Sequence, residues 1–124
     1  MFLKPLLRDP QRQWTLVDAD TATQIVTRVV AAVDSASRKK GLLGRTGLDD
    51  EALVIAPCNA VHTFFMKFAI DVVFTNRDGR VVRVVPAVPP WRITGAWGGF
   101  ATIELAAGTA ARTGILVGHR LEVV

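Results

Sequence analysis

The chain has one cysteine, Cys58, so no disulfide forms within it, and a small scaffold held together by sulfur bridges is excluded. A lone thiol agrees with a reducing compartment. No stretch of about 18 consecutive apolar residues occurs, because Arg28, Lys67, Asp71 and Arg83 interrupt the richest regions, and no membrane-spanning helix is expected. In Met1 to Pro10, Pro5 and Arg8 break the apolar residues before any sustained core or cleavage site, so no signal peptide is read. The expected location is the cytoplasm, with no membrane partner. Repeats, low-complexity tracts and linkers are also missing. With only two histidines, His62 and His119, the chain is poor in metal ligands, and no GxGxxG or Walker spacing makes a phosphate cradle. No cofactor and no metal is therefore assigned.

Charge of either sign is modest. The 15 Lys and Arg against 11 Asp and Glu give a formal net charge of +4, enough for weak attraction to polyanions and too little to identify one. The densest basic group, Arg38-Lys39-Lys40 with Arg45, points in several directions around a helix and reads as a solvated face. No helix-turn-helix, zinc-finger or aromatic-basic RNA motif accompanies it, so nucleic acid is not the favoured partner.

What is present is apolar residue. Half of the 124 residues are hydrophobic, which fits one domain burying roughly two-thirds of its unfolded surface. Residues 1–12 read as an N-terminal extension and 13–124 as a single β-rich domain. Trp14 to Val17 and Gln24 to Val33, joined by Asp18-Ala19-Asp20-Thr21, suggest an opening hairpin. Asp34 or Ser35 can cap a helix running to about Leu43, with Gly44 beyond its end and Ala36, Lys40 and Leu43 on one face. Ala52 to Ile55 is a short buried strand stopped by Pro57, which leaves Cys58 at a strand exit. Ile70 to Thr75 and Arg80 to Val85 flank Asn76-Arg77-Asp78-Gly79, a hairpin turn in which glycine takes a positive φ. Pro86, Pro89 and Pro90 are expected to end the second strand, and Trp91 to Phe100 reads as a loop with two tryptophan anchors, able to act as a lid. Ala101 to Leu105 and Arg120 to Val124 are further strands, with a helical turn at Gly108 to Gly114. Strands outnumber helices and no long crossover helix appears. The expected class is α+β, a mainly antiparallel β-barrel or rolled sheet with one or two short helices.

Three segments stand together as a pattern: Gly41-Leu42-Leu43-Gly44-Arg45, the stretch Ala56 to Asp71 that holds Cys58 and His62, and Ile103-Glu104-Leu105-Ala106-Ala107-Gly108. With these the chain resembles the small prokaryotic proteins of the domain of unknown function 192 family, from about Trp14 to Val124 and most closely between Gly41 and Val85. The resemblance implies a compact β-rich single domain and supplies a candidate site. Gly41, Gly44, Gly108, Gly114 and Gly118 match its pattern. Two positions depart: Ala69 stands where proline is more usual, and His119 where an acidic residue usually follows Gly118.

Reactive chemistry concentrates at Cys58 and His62. A thiol becomes a nucleophile when an imidazole holds it as thiolate and a third group, here Asp71, orients the imidazole. Four residues span about 13 Å on a strand but roughly 6 Å over a helical turn, so a dyad requires a turn at Asn59-Ala60. Otherwise Cys58 packs as a small apolar residue and His62 bonds to Asp71 across two strands. Cys58, His62 and Met66, four apart, have ligand types suited to a soft ion, but converging partners are missing, and Met66 among Phe64, Phe65 and Phe68 reads as core filler. Arg45 either binds an anion or caps helix carbonyls, Glu104 is solvated or pairs with Arg45, and Thr63 lines a pocket or merely suits a strand.

The favoured function is a non-enzymatic module that binds a small ligand or peptide between the Cys58 to Met66 segment and the Trp91 to Phe100 loop. Its candidate binding residues are Arg45, Thr63, Met66, Trp91, Trp97 and Glu104. The alternative is an enzyme of acyl or thiol transfer using Cys58, His62 and Asp71, and a third class is a nucleic-acid-associated regulator. Surface pattern assigns no oligomeric state.

Overall fold

The computed structural model describes all residues from Met1 to Val124. Three short helices accompany ten strands: α1 (Lys4–Arg8), β1 (Leu16–Asp18), β2 (Thr23–Val26), β3 (Arg28–Ala32), α2 (Ser35–Lys40), β4 (Glu51–Ile55), β5 (Ala60–His62), β6 (Ile70–Thr75), β7 (Val81–Val88), β8 (Ile93–Gly95), β9 (Ala101–Ala106), α3 (Thr109–Thr113) and β10 (Leu121–Val123). The class is α+β, as expected. Three sheets form, in the orders β10-β1-β2, β3-β4-β9-β6-β7 and β5-β8. No helix is long and apolar enough to cross a membrane.

The five-stranded sheet is the frame, and alternation along its strands divides the core in two. Ala52, Val54, Val73, Ile103 and Leu105 face one side, where they pack with Leu16, Ile25 and Leu121 of the three-stranded sheet and with Leu3 and Leu6. Leu53, Ile55, Ile70, Val72 and Phe74 face the other, packing with Leu42, Leu48 and Met66. Both faces are covered, which is why every residue of β4 and β6 is buried. Residues 1–12, read as an extension, contribute α1, and Leu3 and Leu6 enter the first core.

Four local expectations are revised. The apolar run Gln24 to Val33 is two strands in different sheets, broken at Thr27, whose N–H and hydroxyl both donate to the Asp50 carboxylate. Next, β3 and β4 pair in parallel around α2, so a six-residue helix suffices for a crossover in an otherwise antiparallel arrangement. Asp34 does cap α2, accepting the Ser37 N–H at 2.8 Å, but the helix ends at Gly41, and it is Leu42 rather than Leu43 that is buried. Last, Pro86 does not stop its strand. The pairing slips between Ile70↔Val88 and Val72↔Val85, and an edge strand with a bulge tolerates a residue that cannot donate.

The 76–79 turn follows its sequence. Gly79 has φ 85°, and a Cβ there would lie 2.4 Å from the Leu121 carbonyl oxygen, so this glycine serves both the turn and the approach of β10.

Candidate functional site

Between α2 and the β4–β5 segment lies a cleft of about 300 Å³. Its walls are Leu42, Ile55, Val61 and Met66, its rim carries Arg38, Lys39 and Lys40 on one side and Cys58 and His62 on the other, and Glu104 reaches it from β9. Sheet alternation explains the last. Ile103 and Leu105 point into the first core, so Glu104 between them points to the opposite face, flanked in register by Leu53 and Val72. Only 4 % of Glu104 is exposed, and its Oε2 is buried with no hydrogen-bond partner. Burial without a partner disfavours the charged form and pushes the carboxyl up to about 7.

Cys58 is held by its backbone: its N–H donates to the Phe100 carbonyl at 2.8 Å, and its own carbonyl accepts the Thr102 hydroxyl at 3.1 Å. The half-buried thiol donates to the Ala60 carbonyl at 3.1 Å. His62 ends β5, where its exposed ring stacks on Phe64 at 4.9 Å and its Nδ1 accepts the Phe64 N–H at 3.3 Å. Extended backbone from Ala60 to His62 replaces the turn that a dyad needs, and no hydrogen bond joins thiol to imidazole.

Asp71 does not orient His62, nor does it tie to it as the alternative reading expected. Its fully buried carboxylate accepts the Ala87 N–H of the β7 bulge and the Ala110 N–H of α3, both at 2.8 Å. It joins β6 to the bulge and α3, and both oxygens are used. Arg45 neither pairs with Glu104 nor caps helix carbonyls: with Arg28 it pairs to Glu51, where Arg28 Nε lies 3.3 Å from the carboxylate. Glu104 is left without a cation.

Thr63 is buried and structural, its hydroxyl donating to the Pro89 carbonyl at 2.7 Å and accepting the Arg92 N–H at 2.9 Å. The Cys58 to Met66 segment and the Trp91 to Phe100 loop, expected to flank a cleft, are paired instead through β5 and β8. The hollow lies on the other flank of β5. Trp91 is 56 % exposed and Trp97 fully so, and neither acts as a buried anchor. Of the candidate residues, Cys58, His62, Met66 and Glu104 share the cleft, while Arg45, Thr63, Asp71, Trp91 and Trp97 do not. No cluster of three His, Cys, Asp or Glu side chains is placed to hold a metal.

Two features escaped sequence reasoning. The basic turn Arg38 to Lys40, read as a solvated face, forms the cleft rim, and the nearby Gly-Leu-Leu-Gly pattern was its one local signal. His119 Nδ1 lies 2.7 Å from Asp18 Oδ2, a buried carboxylate that β1 and β10 bring to it across most of the chain.

The profile of the DUF192 family, described as uncharacterized ACR, matches residues 16–123. No curated protein matches the chain significantly. A crystal structure of a protein of unknown function from Novosphingobium aromaticivorans DSM 12444 superposes with a TM-score of 0.74 at 27% identity, covering 88% of this chain and 82% of that one. A proposed transcription regulator from Sinorhizobium meliloti 1021 superposes with a TM-score of 0.77 at 24% identity, covering 89% and 91%, which is a likeness of fold.

Proposed function

The chain belongs to the DUF192 family, and from that premise we propose that it is a non-enzymatic binding module whose ligand enters the cleft between α2 and β5. One observation carries the reading: a buried carboxyl oxygen, Glu104 Oε2, has no partner and stands at a hollow open to solvent. An unmet buried acceptor costs about 1–3 kcal/mol, which a ligand donor would recover. A volume of about 300 Å³ is at the small end of ligand sites, and seven of its fifteen lining residues are hydrophobic. The ligand class is a small molecule with an apolar body, a hydroxyl or amide donor for Glu104, and an anionic end for the Arg38 to Lys40 rim.

The reading takes the protein as cytoplasmic, its three- and five-stranded sheets as one rolled sheet continuous through Thr27, and residues 13–124 as the single domain that holds the site, with residues 1–12 packed against its first core. Titration of the labelled protein with small hydroxylated or amidated carboxylic acids, followed by amide chemical shifts, tests it. Shifts grouped at Leu42, Cys58, Val61 and Glu104 are expected, and they should weaken in Glu104→Ala. Shifts scattered over the surface, or none, would remove the cleft from consideration.

The enzyme reading keeps one supporting observation, that Cys58 and His62 line the same cleft as a carboxyl with a raised pKa. It requires a thiolate near neutral pH. Alkylation of Cys58 across pH, in the native chain and in His62→Ala, separates the two: the binding module predicts the same pH profile in both, and an enzyme predicts fast reaction lost in the variant.

A further inference from the structure

The outer flank of β5 carries a feature that begins at the cleft residue His62 and runs beyond the cleft. His62, Phe64, Trp91 and Phe65 form a continuous run of rings, with successive centroids 4.9, 5.7 and 4.7 Å apart. Phe65 is 69 % exposed, and Ile93 and Trp97 beside Trp91 in the chain are 72 % and fully exposed. A contiguous run of partly exposed rings where β5 pairs with β8 marks an interaction surface. The backbone beneath them is pinned: Thr63 N–H donates to the Arg92 carbonyl at 2.8 Å, Trp91 N–H donates to the Thr63 carbonyl at 3.0 Å, and the Thr63 hydroxyl bridges Pro89 and Arg92. Trp91 and Phe65 also hold positive φ angles, 67° and 65°, a conformation that bulky side chains avoid unless the surroundings impose it.

Charge narrows the occupant. Residues 52–70 and 79–103, which supply every ring of the run, contain no Asp or Glu, while Lys67 and Arg92 are exposed within them. Across the cleft from His62, Arg38, Lys39 and Lys40 extend the same sign. Ring faces together with cations, and no carboxylate, match an anionic chain that itself presents flat π faces. An acidic peptide would meet the cations and leave the rings unused. In a duplex the bases are stacked on one another and their faces are closed to side chains, whereas a single strand offers them.

We propose that the His62–Phe64–Trp91–Phe65 surface, flanked by Lys67 and Arg92, binds single-stranded nucleic acid, with bases stacking on Trp91 and Phe65 and phosphates meeting the cations. Its stacking residues Phe64, Phe65 and Trp91 lie outside the cleft lining, so their variants test this surface apart from Glu104.

Fluorescence anisotropy of a labelled oligodeoxythymidine of about 15 nucleotides, titrated with the whole chain at about 50 and 200 mM salt, tests the assignment. Tighter binding to the oligomer than to a duplex of equal length is expected, weakening as salt rises. Trp91→Ala and, independently, Phe65→Ala should each reduce affinity about tenfold, because a stacked base is worth a factor of that order. Leu116→Ala, on the exposed loop before β10, should leave it unchanged. No anisotropy change at low salt overturns the proposal. Equal binding of duplex and oligomer, indifferent to both aromatic variants, also overturns it, since charge alone would then be responsible. Co-sedimentation with phosphatidylglycerol vesicles that depends on Trp91, in the absence of oligomer binding, would reassign the surface to a bilayer.

Discussion

At the scale of single residues, Glu104 couples the site to stability. Its carboxyl titrates near 4.5 when unfolded and is pushed up to about 7 by burial in the folded chain, so the folded state holds the proton more tightly. The associated stability is whole below about pH 4.5, declines as pH rises from there to about 7, and is absent above. The difference is on the order of 3 kcal/mol. Glu104→Gln keeps the shape without the titration, and urea midpoints at pH 5 and pH 8 should therefore diverge: the wild type loses stability relative to the variant as pH rises. Asp34 and Asp50, whose carboxyls are lowered by hydrogen bonds to Ser37 and Thr27, act only in acid below this window. Parallel pH curves for the two proteins would show that Glu104 is hydrated. Sequence alternation already pointed this carboxylate away from Ile103 and Leu105, but its lack of a partner depended on Arg45 choosing Glu51.

At the scale of elements, two buried polar side chains join strands to loops. Asp71 receives N–H groups from β7 and α3, two donors that need two acceptor oxygens. Asn supplies one oxygen and sets its NH₂ against the other donor, so Asp71→Asn should lower the unfolding free energy by about 3 kcal/mol with the denaturant slope unchanged. A normal midpoint would mean that the loops relax around the change. Thr63→Val removes the hydroxyl that bridges Pro89 and Arg92, costs about 1–3 kcal/mol, and should raise hydrogen exchange in residues 89–95 more than in β6 or β9. Uniform loss of protection would show that loop and sheet unfold together. The strands β4, β6 and β9 and the Gly79 turn were legible because each rests on an apolar run or one obligatory backbone angle. The end of α2 was not. Gly41 and Gly44 are both able to terminate it, and docking Leu42 beside Leu53 and Met66 selects the first.

At the scale of the whole molecule, the first core is closed by residues that read as an N-terminal extension. Leu3 is wholly buried against the three- and five-stranded sheets, so Leu3→Ala should destabilise the chain by about 2–5 kcal/mol, read from thermal or urea unfolding. A negligible change would return residues 1–12 to the status of an extension. Phe2 N–H also donates to the Arg77 carbonyl at 2.9 Å, anchoring this segment at the β6–β7 turn.

The chain's sequence by itself determined the α+β class, a capped helix starting at Asp34 or Ser35, the hairpin at Gly79, the inward and outward sides of β9, and the family pattern around Cys58. These depend on a few neighbouring residues, whose torsional preferences and alternation act over the length of one element. Tertiary structure alone decided that β3 and β4 run parallel, that Asp71 serves α3 instead of His62, and that Lys40, Cys58 and Glu104 meet at one cleft. The reason is physical: those juxtapositions follow from strand order and from competition among several possible partners for each buried charge, and neither is encoded in any single stretch of chain.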